Sequence, residues 1–131
     1  MLFLALLFLT FSAGTGFTLA YAIFMKRFPT PRLPVFMHGV MSSAGLIFIF
    51  VYAIGNYPDF PLVGLILFVA TALLGFYLFR NDIFRNRPGP RVVVVIHAVF
   101  ALVALGILIA TAYQLYVAAG LAAPLGQGKM H

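Results

Sequence analysis

Four long apolar stretches follow one another along this chain, separated by three short breaks rich in Pro, Gly and charge. A helix needs roughly 20 apolar residues to cross the ~30 Å hydrocarbon core of a bilayer. The runs are continuously apolar rather than alternating, which argues against the strands of a β-barrel. Helix is the required form, because without water each backbone N–H and C=O must be bonded within the segment. With 64% hydrophobic and 8% charged among 131 residues, no water-facing shell can be built. The expectation is an all-α integral membrane protein, a four-transmembrane-helix bundle forming one membrane domain with the lipid bilayer as its solvent.

The first span is predicted from about Leu2 to Met25, stopping at Lys26-Arg27, and the second from about Pro34 to Ile54. The third starts near Pro61 and reaches about Phe79, with Arg80 to Arg87 continuing it as a wet helical turn. The fourth begins after Pro90-Arg91 and runs to about Ala118, leaving a small polar tail, 119–131, expected to be mobile. A cleaved leader carries positive charge before its apolar stretch; here the charge follows, so the first span is expected to be a retained helix.

Lys26, Arg27 and Arg32 lie in the first break, and Arg80, Arg85, Arg87 and Arg91 in the third. The middle turn, Gly55-Asn56-Tyr57-Pro58-Asp59, has no Lys or Arg, and the tail has only Lys129. The positive-inside rule then places loops 26–33 and 80–91 in the cytoplasm and both termini outside, periplasmic in the expected bacterial inner membrane. The net charge of +6 is thus a topology signal rather than the patch of a nucleic-acid binder. The absence of cysteine excludes disulfides, thiolate metal sites and iron–sulfur clusters.

Sliding the chain against itself by 59 residues brings its halves into an ungapped match. Ser12-Ala13-x-x-Gly16-Phe17-x-Leu19 falls on Thr71-Ala72-x-x-Gly75-Phe76-x-Leu78, and Pro29-x-Pro31-Arg32 on Pro88-x-Pro90-Arg91. Val35, His38, Val40 and Leu46 fall on Val94, His97, Val99 and Leu105. Chance gives Leu–Val matches in such runs, but not aligned Gly-Phe, Pro-x-Pro-Arg and His at one offset. The chain therefore reads as a tandem, parallel repeat of two helical hairpins, 1–55 and 61–118, related by an axis along the membrane normal. The second and fourth helices then run in the same direction, and their histidines face one another at one depth.

A histidine inside a span is costly and usually has an interior partner, most often a hydrogen bond. Two at equivalent depth are also a natural bis-axial ligand set for a haem iron, with His38 and His97 as the metal ligands. Around them Ser42 and Gly45 continue the His38 face, and Ala101 and Ala104 the His97 face. These small residues make room for a macrocycle, or equally for close helix–helix contact. Gly16 and Gly75 lie against the macrocycle or against a neighbouring helix, and Phe17 and Phe76 are weak candidates for the pocket edge. Arg32 and Arg91, six residues before the histidines, either pair with the two haem propionates or anchor the helices at the head groups. No Asp or Glu lies within a span and no helix is interrupted at mid-membrane, which disfavours a coupled transporter. His131, in the tail, is taken as incidental.

A bundle with histidines inside parallel helices resembles the small membrane b-type cytochromes of the cytochrome b561-like kind, and the haem-carrying membrane anchors of respiratory enzymes. The likeness covers the whole chain as architecture and rests at residue level on His38 and His97. It implies haem b and electron exchange with a quinone or a partner subunit. Two-haem members need four histidines, whereas this chain has only the inner pair, which implies a single haem near the cytoplasmic side and no electron path across the bilayer. Two other readings stay open: a chlorin-pigment protein, and a cofactor-free scaffold or accessory subunit of a membrane complex. Expected partners besides lipid and quinone are other membrane subunits or further copies of the chain.

Overall fold

The computed structural model describes residues 1–56 and 60–120; Tyr57, Pro58 and Asp59 of the middle turn and the tail from 121 on, with Lys129 and His131, lie outside the described residues. Four helices follow in order: α1 (Leu2–Phe24), α2 (Arg32–Gly55), α3 (Leu62–Phe79) and α4 (Arg91–Ala118). A π-helical turn, Arg80–Phe84, extends α3. No strand occurs among the described residues. At ~1.5 Å per residue, helices of 23, 24, 23 (α3 with its π turn) and 28 residues are each long enough to cross a bilayer.

Proline sets three of the helix starts. Pro31, Pro61 and Pro90 each stand immediately before the first residue of α2, α3 and α4, where a missing N–H removes no helical bond. The end of α1 closes with two backbone bonds, Lys26 N–H to Ile23 O and Arg27 N–H to Ala22 O, with Lys26 in the left-handed region at φ 55°. At the end of α3 the left-handed residue is Asn86, at φ 49°, and Arg87 N–H reaches back to Asn81 O. The wider π turn lets α3 run on before Pro88-Gly89-Pro90 starts the next helix.

The helices pack around a square. α1 lies closest to α2 and α3 to α4, α1 also meets α4, and α2 meets α3; the diagonal pairs have no direct backbone contact. The apolar core (Leu2, Ala5, Leu9, Ile49, Ala53, Phe60, Phe68, Ala104, Leu108 and Ala112) fills the half nearest the middle turn. Small residues let the backbones approach: a side chain at Gly45 would overlap Leu9, and one at Gly64 would press on Ile107.

The outside of the bundle is apolar. In the most apolar stretch of each helix only 17–22% of residues are buried, and Leu7, Phe17, Leu73, Phe76 and Leu102 are among those facing outward. This surface suits lipid and not water. At the basic end, Thr30 donates to Asp82 at 2.9 Å, and Arg91 donates to the Phe24 carbonyl at 3.2 Å while lying over the Phe24 ring. Both contacts tie one hairpin to the other.

Candidate functional site

Six residues into α2 and six into α4, about 9 Å along each axis, His38 and His97 point into the bundle. Their ring centroids lie 6.0 Å apart, with the planes inclined at 66°. The backbones of the diagonal helices that carry them make no close approach, and the two imidazoles meet between α2 and α4.

Each ring is fixed by the other helix of its own hairpin. His38 Nδ1 lies 2.8 Å from the Ser12 carbonyl on α1, and His97 Nδ1 lies 2.9 Å from the Thr71 carbonyl on α3. A carbonyl only accepts, so Nδ1 carries the proton in both rings and each neutral imidazole has its lone pair on Nε2. No hydrogen bond reaches either Nε2 among the described residues, and neither atom is fully buried.

The two glycines explain how the rings come so close. A Cβ at Gly16 would lie 2.8 Å from Cε1 of His38 and 3.1 Å from its Nδ1; at Gly75 the distances to His97 are 3.0 and 3.5 Å. Both glycines thus lie against the imidazoles themselves. The Nε2 atoms lie farther from these Cβ positions than Cε1 and Nδ1 do, at 3.8 and 3.9 Å. In a helix the carbonyl of residue i faces the N–H of i+4. Gly16 and Gly75 stand at that place above Ser12 and Thr71, and their missing side chains leave the carbonyls open to the rings.

The first ring has extra support. Its Nδ1–H also reaches Ser12 Oγ at 3.1 Å; Ser12 Oγ is hydrogen-bonded to Ser42 Oγ, and Ser42 donates to the His38 carbonyl at 2.6 Å. The second ring lacks this set. Ala101 stands four residues after His97, where Ser42 stands relative to His38, and Thr71 turns its hydroxyl back to Leu67 O at 2.7 Å.

The remaining candidates fall elsewhere. Gly45 meets Leu9 of α1, and Ala104, fully buried, belongs to the apolar core. Ala101 is half-buried. Phe17 and Phe76 face outward at 75% and 65% exposure, so they do not edge a pocket between the helices. Arg91 is engaged by Phe24 of α1, and Arg32 lines a small polar recess with Thr30, Asp82 and Asn86. Ser12 and Thr71, which the sequence offers on the first and third helices, serve the rings through their backbone carbonyls, and the signal for that is the Gly four places after each hydroxyl residue.

What the arrangement can hold follows from its donors. No group of three or more His, Cys, Asp or Glu side chains gathers among the described residues, so there is no protein-only cage for a metal ion there. Two opposed imidazoles suit a metal whose other positions are already filled by a macrocycle. No family model matches the chain, and neither a similar curated protein nor a similar solved structure was found.

Proposed function

We propose that this protein is a membrane-embedded b-type haem protein that holds one haem between His38 and His97 and exchanges electrons with a quinone or a partner subunit. One observation carries the reading: both Nδ1–H groups are committed to backbone carbonyls, at 2.8 and 2.9 Å. This leaves each Nε2 without a hydrogen bond among the described residues, in rings whose centroids lie 6.0 Å apart. A cation satisfies both, and a carbonyl bond at Nδ1 is the outer support that orients a ligating histidine and raises its basicity. The 6.0 Å between centroids suits one metal taking two imidazole bonds of roughly 2 Å each. Haem supplies one-electron chemistry. The chain sets the tautomer of each ring and presses each ring against a glycine.

The paired-ligand reading rests on the duplicated hairpin, and burial supports that duplication. Buried positions recur 59 apart as Ala5 with Gly64, Leu9 with Phe68, Ser12 with Thr71, Val35 with Val94, Gly45 with Ala104, Ile49 with Leu108, and Ala53 with Ala112. The basic loops support an orientation with that end in the cytoplasm, the termini periplasmic, and the bacterial inner membrane as the location. The ligands sit near that end, so electrons enter and leave there and do not cross the bilayer.

The rival reading is a cofactor-free scaffold, favoured by the fact that both Nδ1 atoms already have partners within the protein. A visible spectrum of protein purified from haem-replete cells separates the two. The haem reading expects sharp reduced bands of a bis-histidine centre, lost in His38→Ala and in His97→Ala. Sharp low-spin bands persisting in either variant would sink the paired-ligand arrangement. A colourless protein would leave the scaffold.

A further inference from the structure

The two histidines are alike in position and unlike in how firmly they are held. His38 donates to two oxygens of Ser12, and its carbonyl receives Ser42, so ring and backbone close one loop of hydrogen bonds through Ser12 and Ser42. Bonds in such a loop polarise and strengthen one another. Thr15 shares the Ser12 carbonyl at 2.9 Å, but its hydroxyl also reaches Phe11 O, so it has another acceptor and does not displace the ring. His97 has a single acceptor, the Thr71 carbonyl. The cause is one methyl and one hydroxyl. The β-branched Thr71 prefers to bond back to Leu67 O, four residues earlier, and Ala101 offers no hydroxyl to draw it away. The ring contact agrees: Gly16 lies tighter on His38 than Gly75 on His97.

We propose that the rings form an unequal pair, with His38 the fixed ligand and His97 the one that lets go when a small neutral molecule competes for the site. This rests on the haem reading above. Were haem bound, His38 would hold the iron throughout, and the exchange would trade a bond to His97 Nε2 for one to the competitor. The lone pair stays with Nε2, and neither a proton nor an electron is transferred. His97 would then keep its Nδ1–H bond to the Thr71 carbonyl.

The first test needs no haem. Imidazole NMR of the full chain in detergent should show the His38 Nδ1–H exchanging with water about tenfold more slowly than that of His97, the worth of roughly one extra hydrogen bond. Ser42→Ala should narrow the gap. Thr71→Ser together with Ala101→Ser, which gives the second hairpin the hydroxyls of the first, should close it. Equal protection in the wild type, or a better protected His97, overturns the proposal. The second test uses haem-loaded protein and carbon monoxide added after reduction. The Thr71→Ser, Ala101→Ser variant should bind it about tenfold more slowly than wild type. His97→Ala should retain a high-spin haem that binds it at once, whereas His38→Ala should lose haem. An unchanged rate in the double variant, or haem retention by His38→Ala alone, overturns ligand release at His97. A chain that shows the protection difference yet takes up no haem overturns the haem reading, and with it the release step, while the unequal hold stands.

Discussion

Replacing Gly16 by Ala puts the packing of the histidine site to a quantitative test. In a helix interior this change alone is worth about 1 kcal/mol in favour of Ala. Gly14, half a turn away on the same helix, would meet nothing within 4 Å if it carried a Cβ, so Gly14→Ala isolates that benefit. At Gly16 the added Cβ lies 2.8 Å from Cε1 of His38. Ordinary carbon contacts are about 3.5–4.0 Å, so the ring has to retreat by roughly 0.7 Å. That stretches the 2.8 Å bond from Nδ1 to the Ser12 carbonyl to about 3.5 Å, beyond useful hydrogen-bond range. Its loss costs about 0.5–1.5 kcal/mol, and crowding in a packed interior a further ~1–3 kcal/mol. A swing toward the axis carries the ring toward His97, whose centroid is 6.0 Å away, and away from the Ser12 carbonyl. Gly16→Ala should therefore fall about 2–4 kcal/mol below Gly14→Ala. Gly75→Ala, where the corresponding distance is 3.0 Å, should fall between them. Reversible unfolding in mixed micelles, followed by circular dichroism, measures all three. If Gly16→Ala comes within about 0.5 kcal/mol of Gly14→Ala, the ring is not pinned and the reasoning fails.

Other substitutions test separate parts of the fold. Gly45→Ala brings a Cβ to 2.7 Å from Leu9 Cγ, a branch point in the core that cannot rotate aside, so a loss of about 1–2 kcal/mol net of helix propensity should appear in the same assay. Lys26→Gly removes a side chain from a residue at φ 55° without touching any contact, and should raise stability by about 0.5–1 kcal/mol; a loss would refute the capping assignment at the end of α1. Asp82→Asn and Thr30→Ala each weaken the 2.9 Å link between the first loop and the π turn. Each should cost no more than about 1 kcal/mol globally, while hydrogen exchange speeds up around 30 and 80–87; an unchanged exchange pattern would show that the link does not tie the loops.

The helices were legible because lipid imposes a length and proline and charge mark the ends. The predicted ends at Met25, Ile54, Phe79 and Ala118 lie within one residue of the structural ends at Phe24, Gly55, Phe79 and Ala118. α2 starts at Arg32, two residues before the Pro34 that the sequence predicts, because proline is tolerated in a first turn. Rotation about each helix axis was harder to read. When nearly every side of a helix is apolar, the polar and apolar stripes that would orient it in water are missing. Phe17, next to the glycine that seats a ring, therefore looked like a pocket residue but faces outward.

Sequence by itself determined the number, length and order of the spans, and a fixed 59-residue offset that put one histidine in each half. Tertiary structure decided what those histidines do with their protons. Each Nδ1 finds a backbone carbonyl on a helix 26 residues back in the chain, and that carbonyl is reachable because a glycine stands one turn above it. Hydropathy reports the cost of moving a side chain into lipid and is blind to direction. The position of the lone pair on each Nε2 was fixed only when the packing of α1 on α2 and of α3 on α4 settled which edge of each ring was already bonded.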